Sequence, residues 1–263
     1  MMLDSDRCTS AVPYLDQAIE IAIGAGGCIL EHRTNFHVAD KGDHGADISP
    51  VTDADLAANS YIVEHLATLD PQIPIISEET AQVDYQTRKS WPRFWCVDPL
   101  DGTKGFIRGS DDFTVNIALV DHLEPILGVI YLPVKSQLFY AAKGFGAWKR
   151  DGAGPAVRIY SAIPDLRKGL TVVESSSHPT PELETYLREL PVAQRIPVSS
   201  SVKFCAVAEG RADIYPRMGP TMEWDVAAGD CIYRNSGRDG QRSTSLTYNK
   251  PSLKNGNFVI GFR

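Results

Sequence analysis

Asp98-Pro99-Leu100-Asp101-Gly102-Thr103 sets two carboxylates three positions apart, with a proline between them and a glycine after. The apolar run RFWCV (93–97) leads straight into Asp98, so the pair stands where a strand gives way to a turn. Hard cations such as Mg2+ take several oxygen ligands, and two carboxylates with a turn carbonyl supply that donor set. A helix beginning near Thr103 aims its free N–H groups at the same spot and favours a phosphate. Taken alone, the segment reads equally well as a strand ending in an Asx-type turn before a capped helix.

Other acids also stand at element ends. Glu78-Glu79 follow the strand-like IPIIS (73–77), Asp53 and Asp55 open one helix, and Glu223-Trp224-Asp225 open another. Singly, acids at helix starts offset the helix dipole. A site gathering several carboxylates repels itself unless cations fill it, so metal binding is the preferred reading. Asp53-Ala54-Asp55 superficially matches the D-x-D of haloacid-dehalogenase-type phosphatases, but Ala57 stands where Thr or Val is needed and the segment enters a helix. No G-x-x-x-x-G-K-[ST], H-E-x-x-H or G-x-S-x-G is present. Gly24, Gly26 and Gly27 do not make a dinucleotide loop, since Leu30 occupies the third glycine position; close helix packing is their expected use.

These residues need elements to position them. Residues 12–30 and the segment from Val51 to Leu69 read as amphipathic helices, the second with Leu56, Ile62, Val63, Leu66 and Leu69 on one face. The runs 113–120, 125–132 and 137–142 predict an antiparallel-prone sheet. The Gly/Pro-rich stretch KRDGAGPAV (149–157) is the candidate boundary, dividing the chain into 1–155, with most of the metal ligands, and 156–263. Beyond it, a strand at 170–174, a helix from Pro181 to Glu189, a helix from Ser201 to Glu209, a strand at 212–216, a helix from Glu223 and a strand at 257–262 suggest an α/β layer.

The chain has 263 residues, 43% hydrophobic and 22% charged, with a net charge of -7. That describes an ordinary soluble globule with a sizeable core. The acidic balance argues against nucleic-acid polymers and general membrane-surface binding, but not against a small anion held through metal ions. No apolar stretch is long enough to span a bilayer, and the start MMLDSDRCTS is not a secretory signal. The five cysteines (Cys8, Cys28, Cys96, Cys205, Cys231) form no C-x-x-C and read as reduced thiols, with the cytoplasm as the expected compartment.

Taken together, the motifs resemble the Mg2+-dependent, Li+-sensitive phosphatases related to inositol monophosphatase. The signatures D-P-[IL]-D-G-[ST] and W-D-x-A-A-G stand at Asp98–Thr103 and Trp224–Gly229, with Ser49–Asp55 and Ile76–Glu79 upstream in the right order. Within that family the sequence is most similar to the bacterial CysQ-type 3'(2'),5'-bisphosphate nucleotidases, through D-P-L-D-G-T-K-G-F (98–106) and the segments 113–134 and 200–221. The resemblance implies a layered αβαβα sandwich and hydrolysis of adenosine 3',5'-bisphosphate to AMP and phosphate, with 3'-phosphoadenosine 5'-phosphosulfate as a related substrate. An inositol monophosphatase or sugar (bis)phosphatase of the same family is the alternative.

By the same resemblance, two or three Mg2+ ions are held by Glu78, Asp98, the Leu100 carbonyl, Asp101 and Asp225. Thr103 with Asp55 polarises the attacking water, and Glu78 orients it. Leu100, Gly102, Thr103 and Asp225 line the substrate site, and Ser175, His178, Ser199 and Lys203 contact the nucleotide. Glu79 and Asp53 support the site from behind or serve the fold alone. From residue type alone, His178 is a loop histidine and Lys203 a surface lysine at a helix start. The expected protein is a monomer or homodimer without a transmembrane segment, located in the cytoplasm or peripherally at the inner membrane.

Overall fold

The strand-like runs at 93–97, 113–120 and 125–132 are apolar at nearly every position, a pattern that needs cover on both faces. The structure, a computed structural model describing residues 12–40, 50–176 and 180–262, provides that cover. In chain order it contains α1 (Leu15–Glu31), the paired β1 (Val38–Asp40) and β2 (Pro50–Thr52), α2 (Asp53–Leu69), β3 (Ile75–Ser77), α3 (Tyr85–Arg88), β4 (Arg93–Asp101) and α4 (Thr103–Ile107). A run of strands follows: β5 (Thr114–Asp121), β6 (Glu124–Leu132), β7 (Gln137–Ala142), β8 (Gly146–Asp151) and β9 (Val157–Ile159). The remainder comprises β10 (Leu170–Ser175), α5 (Pro181–Leu187), β11 (Val192–Val198), α6 (Val202–Ala208), β12 (Ile214–Arg217), β13 (Thr221–Met222), α7 (Glu223–Arg234), β14 (Lys254–Asn255) and β15 (Phe258–Gly261).

Strands β3 to β9 form one seven-stranded sheet in sequence order. β3 joins β4 in parallel and every later pairing is antiparallel. A four-stranded sheet has the order β11-β10-β12-β15, with β10 parallel to both neighbours and β15 antiparallel.

Alternation along each strand sorts its side chains into different cores. In β4, Trp95 and Val97 join Ile117, Val129 and the helical Leu15, Ile62 and Leu66, while Phe94 and Cys96 face Ile130, Phe204 and Ala227 on the other side. In the smaller sheet, Val173, Tyr215 and Phe258 pack with α6 and α7, whereas Val172 and Ile214 meet Leu183 and Leu187 of α5. The layers are therefore α1/α2, seven strands, α6/α7, four strands, α5: the expected αβαβα sandwich.

Several expectations change in detail. KRDGAGPAV is the hairpin between β8 and β9, with Lys149 paired to Val157, so the first sheet runs to Ile159 and past residue 155. Turn-forming residues mark hairpins as readily as boundaries. β11 has no counterpart in the sequence reading; it is an edge strand with exposed Gln194, Arg195 and Pro197, which hides its pattern. Leu56 is exposed, because Ala54, Ala58, Ile62 and Leu66 form the buried stripe of α2. Gly24 and Gly26 do serve packing: a Cβ would come within 2.3 Å of Tyr61 and 2.6 Å of Tyr131. Among the described residues no helix is long and apolar enough to cross a membrane.

Candidate active site

Parallel pairing of β3 with β4 matches Ser77 to Val97, which sets the next residues, Glu78 and Asp98, side by side. The Glu78 N–H donates to the Val97 carbonyl at 3.2 Å. Asp98 does not end its strand; β4 continues to Asp101 with an irregularity between the two acids. Asp98 is buried and accepts the Leu100 N–H at 3.1 Å, which holds that irregularity. Gly102 then takes φ +103°, a left-handed turn that glycine enters without a Cβ penalty, and α4 begins at Thr103.

Asp225 arrives from the opposite layer. It is the third residue of α7 and accepts the Met222 N–H at 2.8 Å. Small residues bring α7 close to its neighbours: a Cβ at Gly229 would meet the Phe204 ring of α6 at 2.4 Å. The W-D-x-A-A-G pattern thus combines one acid with the packing that delivers it. Carboxylate oxygens of Glu78, Asp98 and Asp225 lie within 4.8 Å of one another.

Burial raises the Asp101 carboxyl above the ordinary range, with Lys203 opposing the rise and Glu78 adding to it. Asp225 is lifted well above that range by burial, then by Asp101 and Glu78. Acids that disfavour one another's ionisation in this way are relieved by a cation. The all-oxygen donor set suits Mg2+ rather than a softer metal, so these residues fit the ion.

Beside the cluster, the Thr103 hydroxyl lies 2.9 Å from Asp55 Oδ1 and 3.1 Å from the Leu100 carbonyl, with both oxygens as acceptors. Asp55 is buried, and its other oxygen accepts the Thr52 N–H at 2.8 Å and the Thr52 hydroxyl. The first turn of α2 therefore caps the helix with one carboxylate oxygen and meets Thr103 with the other.

Glu78, Asp98, Asp101, Thr103 and Asp225 border a cavity of about 1100 Å³, which Ser175, Ser199, Lys203 and Arg217 also line. Lys203 is 6% exposed, not a surface lysine. Helix α6 is enclosed between the two sheets and every one of its residues is buried, so its lysine has no solvent face. Its ammonium donates to the Ser200 and Val198 carbonyls and lies 5.6 Å from the centre of the Tyr215 ring. Burial pulls Lys203 down to about 8, with Asp101 drawing it back up. Glu79 also lines the cavity. Asp53 instead accepts the His37 N–H at 2.9 Å and lies on the surface, where it holds the chain entering α2. His178 lies outside the described residues.

Sequence reasoning missed Arg217 and Asn116. Arg217 ends β12, lines the cavity, donates to the Pro220 carbonyl at 3.0 Å, and has a buried Nε with no hydrogen bond among the described residues. Asn116 sits in the otherwise apolar Val115-Asn116-Ile117 of β5. The usable signal in both cases is a polar residue in an apolar strand, which demands a partner.

A model of the inositol monophosphatase family matches residues 11–257. The 3'(2'),5'-bisphosphate nucleotidase CysQ of Escherichia coli K12 is 45% identical over 224 residues, 85% of this chain and 88% of that protein. The CysQ of Haemophilus influenzae is 32% identical over 251 residues, 94% and 91% of the two chains. The crystal structure of CysQ from Bacteroides thetaiotaomicron aligns with a TM-score of 0.78 at 39% identity, covering 96% of this chain and 97% of that one. An IMPase of Thermotoga maritima, at 22% identity and a TM-score of 0.76 over 95% and 92% of the chains, shares the fold. The chain therefore belongs to the inositol monophosphatase family, and it is a phosphoric monoester hydrolase.

Proposed function

We propose that the chain hydrolyses adenosine 3',5'-bisphosphate to AMP and phosphate with Mg2+, in the cytoplasm, and accepts 3'-phosphoadenosine 5'-phosphosulfate as a related substrate. The observation that carries this reading is the meeting, in one cavity, of the acids Glu78, Asp98 and Asp225 with the cations Lys203 and Arg217. A single phosphate needs only the acid side with its ions. A nucleotide carrying a second phosphate needs cations as well, because a buried anion without them is strongly disfavoured. The CysQ relatives, named as bisphosphate nucleotidases, support the same substrate class.

Glu78, Asp98, the Leu100 carbonyl, Asp101 and Asp225 would hold the ions. Bound Mg2+ supplies neutralisation of the phosphate charge and acidifies a water. Thr103, whose own proton passes to Asp55 Oδ1, takes up a proton from the attacking water at its hydroxyl oxygen. Thr52 keeps Asp55 in that orientation, and Glu78 orients the water. The water oxygen bonds to phosphorus, the bond from phosphorus to the ribose oxygen breaks, and that oxygen takes a proton from a solvent water as it leaves, while Asp55 returns its proton to solvent. The turn at Leu100, Gly102 and Thr103 receives phosphate oxygens, and Ser175, Ser199 and Lys203, together with His178, hold the nucleotide.

The test is phosphate release from adenosine 3',5'-bisphosphate, inositol 1-phosphate and fructose 1,6-bisphosphate, each with Mg2+, with chelator and with Li+. The nucleotide should exceed inositol 1-phosphate by about a hundredfold or more, since a site built for charged groups penalises their absence. Equal rates would overturn the substrate assignment in favour of an inositol or sugar phosphatase.

A further inference from the structure

The two residues before α7, Thr221 and Met222, form β13 and pair with β14, which matches Thr221 to Asn255 and Met222 to Lys254. The Asn255 side chain fastens this ribbon. Its Nδ2 donates to the Met222 carbonyl at 2.9 Å and to the Thr221 hydroxyl oxygen at 3.1 Å. Its Oδ1 accepts the Lys250 ammonium at 2.9 Å. The partners settle which end of the carboxamide is which, because an ammonium only donates and a carbonyl only accepts. Lys250 also donates to Glu223 Oε1 at 2.7 Å and to the Thr247 carbonyl at 2.6 Å, so each of its N–H groups has an acceptor. Asn255 is buried and does not line the cavity, so it reaches the site only through its neighbours. Met222 is the neighbour that matters. Its N–H donates to Asp225 Oδ2 at 2.8 Å while its carbonyl receives Asn255, and the next N–H, of Glu223, donates to the Leu253 carbonyl at 2.9 Å.

We infer that Asn255 is a positioning residue of the cation site: by fastening Met222 to β14 it fixes the N–H on which one Asp225 oxygen rests. The inference rests on the metal reading above. Its physical content is that a carboxylate with one oxygen bonded to a fixed donor can turn toward an ion in fewer ways. A polar network whose members are all satisfied holds one arrangement; without Asn255, the Met222 carbonyl and the Lys250 ammonium each lose a partner. Partners of metal ligands typically set affinity by about 10–100-fold, and Asn255, one bond further out, belongs at the lower end. An acid that opens α7 is thereby oriented from a short strand near the other end of the sequence.

Calorimetric titration of Mg2+ into the full chain, without substrate, tests the inference alongside thermal unfolding in chelator. Asn255→Leu keeps the side-chain bulk and removes the donor; Mg2+ affinity should fall about tenfold while unfolding stays a single cooperative transition. A purely structural role would lower the unfolding temperature and leave the affinity of the folded variant unchanged, and that result overturns the inference. Arg88→Met is the control, since Arg88 donates to Asn249 Oδ1 and to the Lys250 and Pro251 carbonyls of the same loop without touching Asn255. It should lower the unfolding temperature and spare the affinity; an equal loss of affinity would overturn a specific role for Asn255. Should Asn255→Leu fail to fold, Asn255→Ser decides: its side chain is too short to hold the Met222 carbonyl, and the same loss is expected. Wild-type affinity in a folded Asn255→Ser overturns the inference, as does failure of both variants to fold, which assigns the amide to the fold alone. Wild-type protein that binds no Mg2+ removes the metal reading and the inference together, whereas wild-type binding with unaltered variants removes the inference alone.

Discussion

Helix α7 carries acids in opposite surroundings. Asp230 is wholly buried and accepts from Arg234 Nε at 2.9 Å, Thr244 Oγ1 at 2.7 Å and the Tyr248 hydroxyl at 2.8 Å. Glu223, also wholly buried, accepts the Lys250 ammonium at 2.7 Å and the N–H groups of Asn249 and Lys250 at 2.7 and 3.0 Å. Asp225, between them in sequence, is raised by burial and then by two other acids, with weaker relief from Arg217. The first pair tie residues 244–250 to the helix. A buried carboxylate with cationic and hydroxyl donors is part of the frame; one whose strongest ionic neighbours are acids is a candidate cation site.

The sharpest way to break this contrast is to neutralise acids of each kind. Asp225→Asn or Asp98→Asn should lower phosphate release by about 10³-fold or more, since the Mg2+ contribution amounts to several kcal/mol. Thermal unfolding in chelator should show these variants at least as stable as the wild type, because like-charge repulsion is removed. Asp230→Ala should do the reverse. Removing Asp230 leaves the half-buried Arg234 with Glu124 at 3.6 Å as its remaining carboxylate and takes the acceptor from Thr244 and Tyr248, which should cost about 3 kcal/mol in denaturant unfolding, while kcat of the folded fraction stays at the wild-type level. Loss of activity in folded Asp230→Ala would blur the distinction.

Thr103→Val should have an intermediate effect, lowering kcat by about 10²-fold in steady-state assays with little change in KM or unfolding temperature. The smallest effect expected is a pH dependence on the cationic wall. Lys203 is depressed to about 8, so it is charged below that pH and loses its charge as pH rises through it. KM for the nucleotide bisphosphate should therefore climb above about pH 8, and Lys203→Arg, whose guanidinium stays charged, should flatten the climb. A KM that does not vary with pH in the wild type would remove Lys203 from the second-phosphate role.

Sequence carried the site where the chemistry is local. Asp98-Pro99-Leu100-Asp101-Gly102-Thr103 and Trp224-Asp225 are legible because strand end, turn and helix start lie within a few residues. The adjacency of Glu78 and Asp98 depends on strand register, and the approach of Asp225 depends on the packing of Gly229 against Phe204, neither of which spacing reveals. Lys203 was misjudged because exposure belongs to a layer rather than to a residue type; α6 lies between two sheets. Asn116 and Ser201 were missed because their partners come from other elements. The hairpin at 149–157 looked like a boundary because a turn has the same composition in either role.

The central claim, that the acids around Asp225 serve a cation while Asp230 serves the fold, is tested most directly by thermal unfolding with Mg2+ and with chelator. A ligand that binds only the folded chain raises its stability by about 2.7 kcal/mol at a hundredfold excess over Kd. The account predicts that Mg2+ raises the unfolding temperature of the wild type by several degrees and that Asp225→Asn abolishes the rise. A wild-type unfolding temperature indifferent to Mg2+, or a rise retained in full by Asp225→Asn, would contradict it.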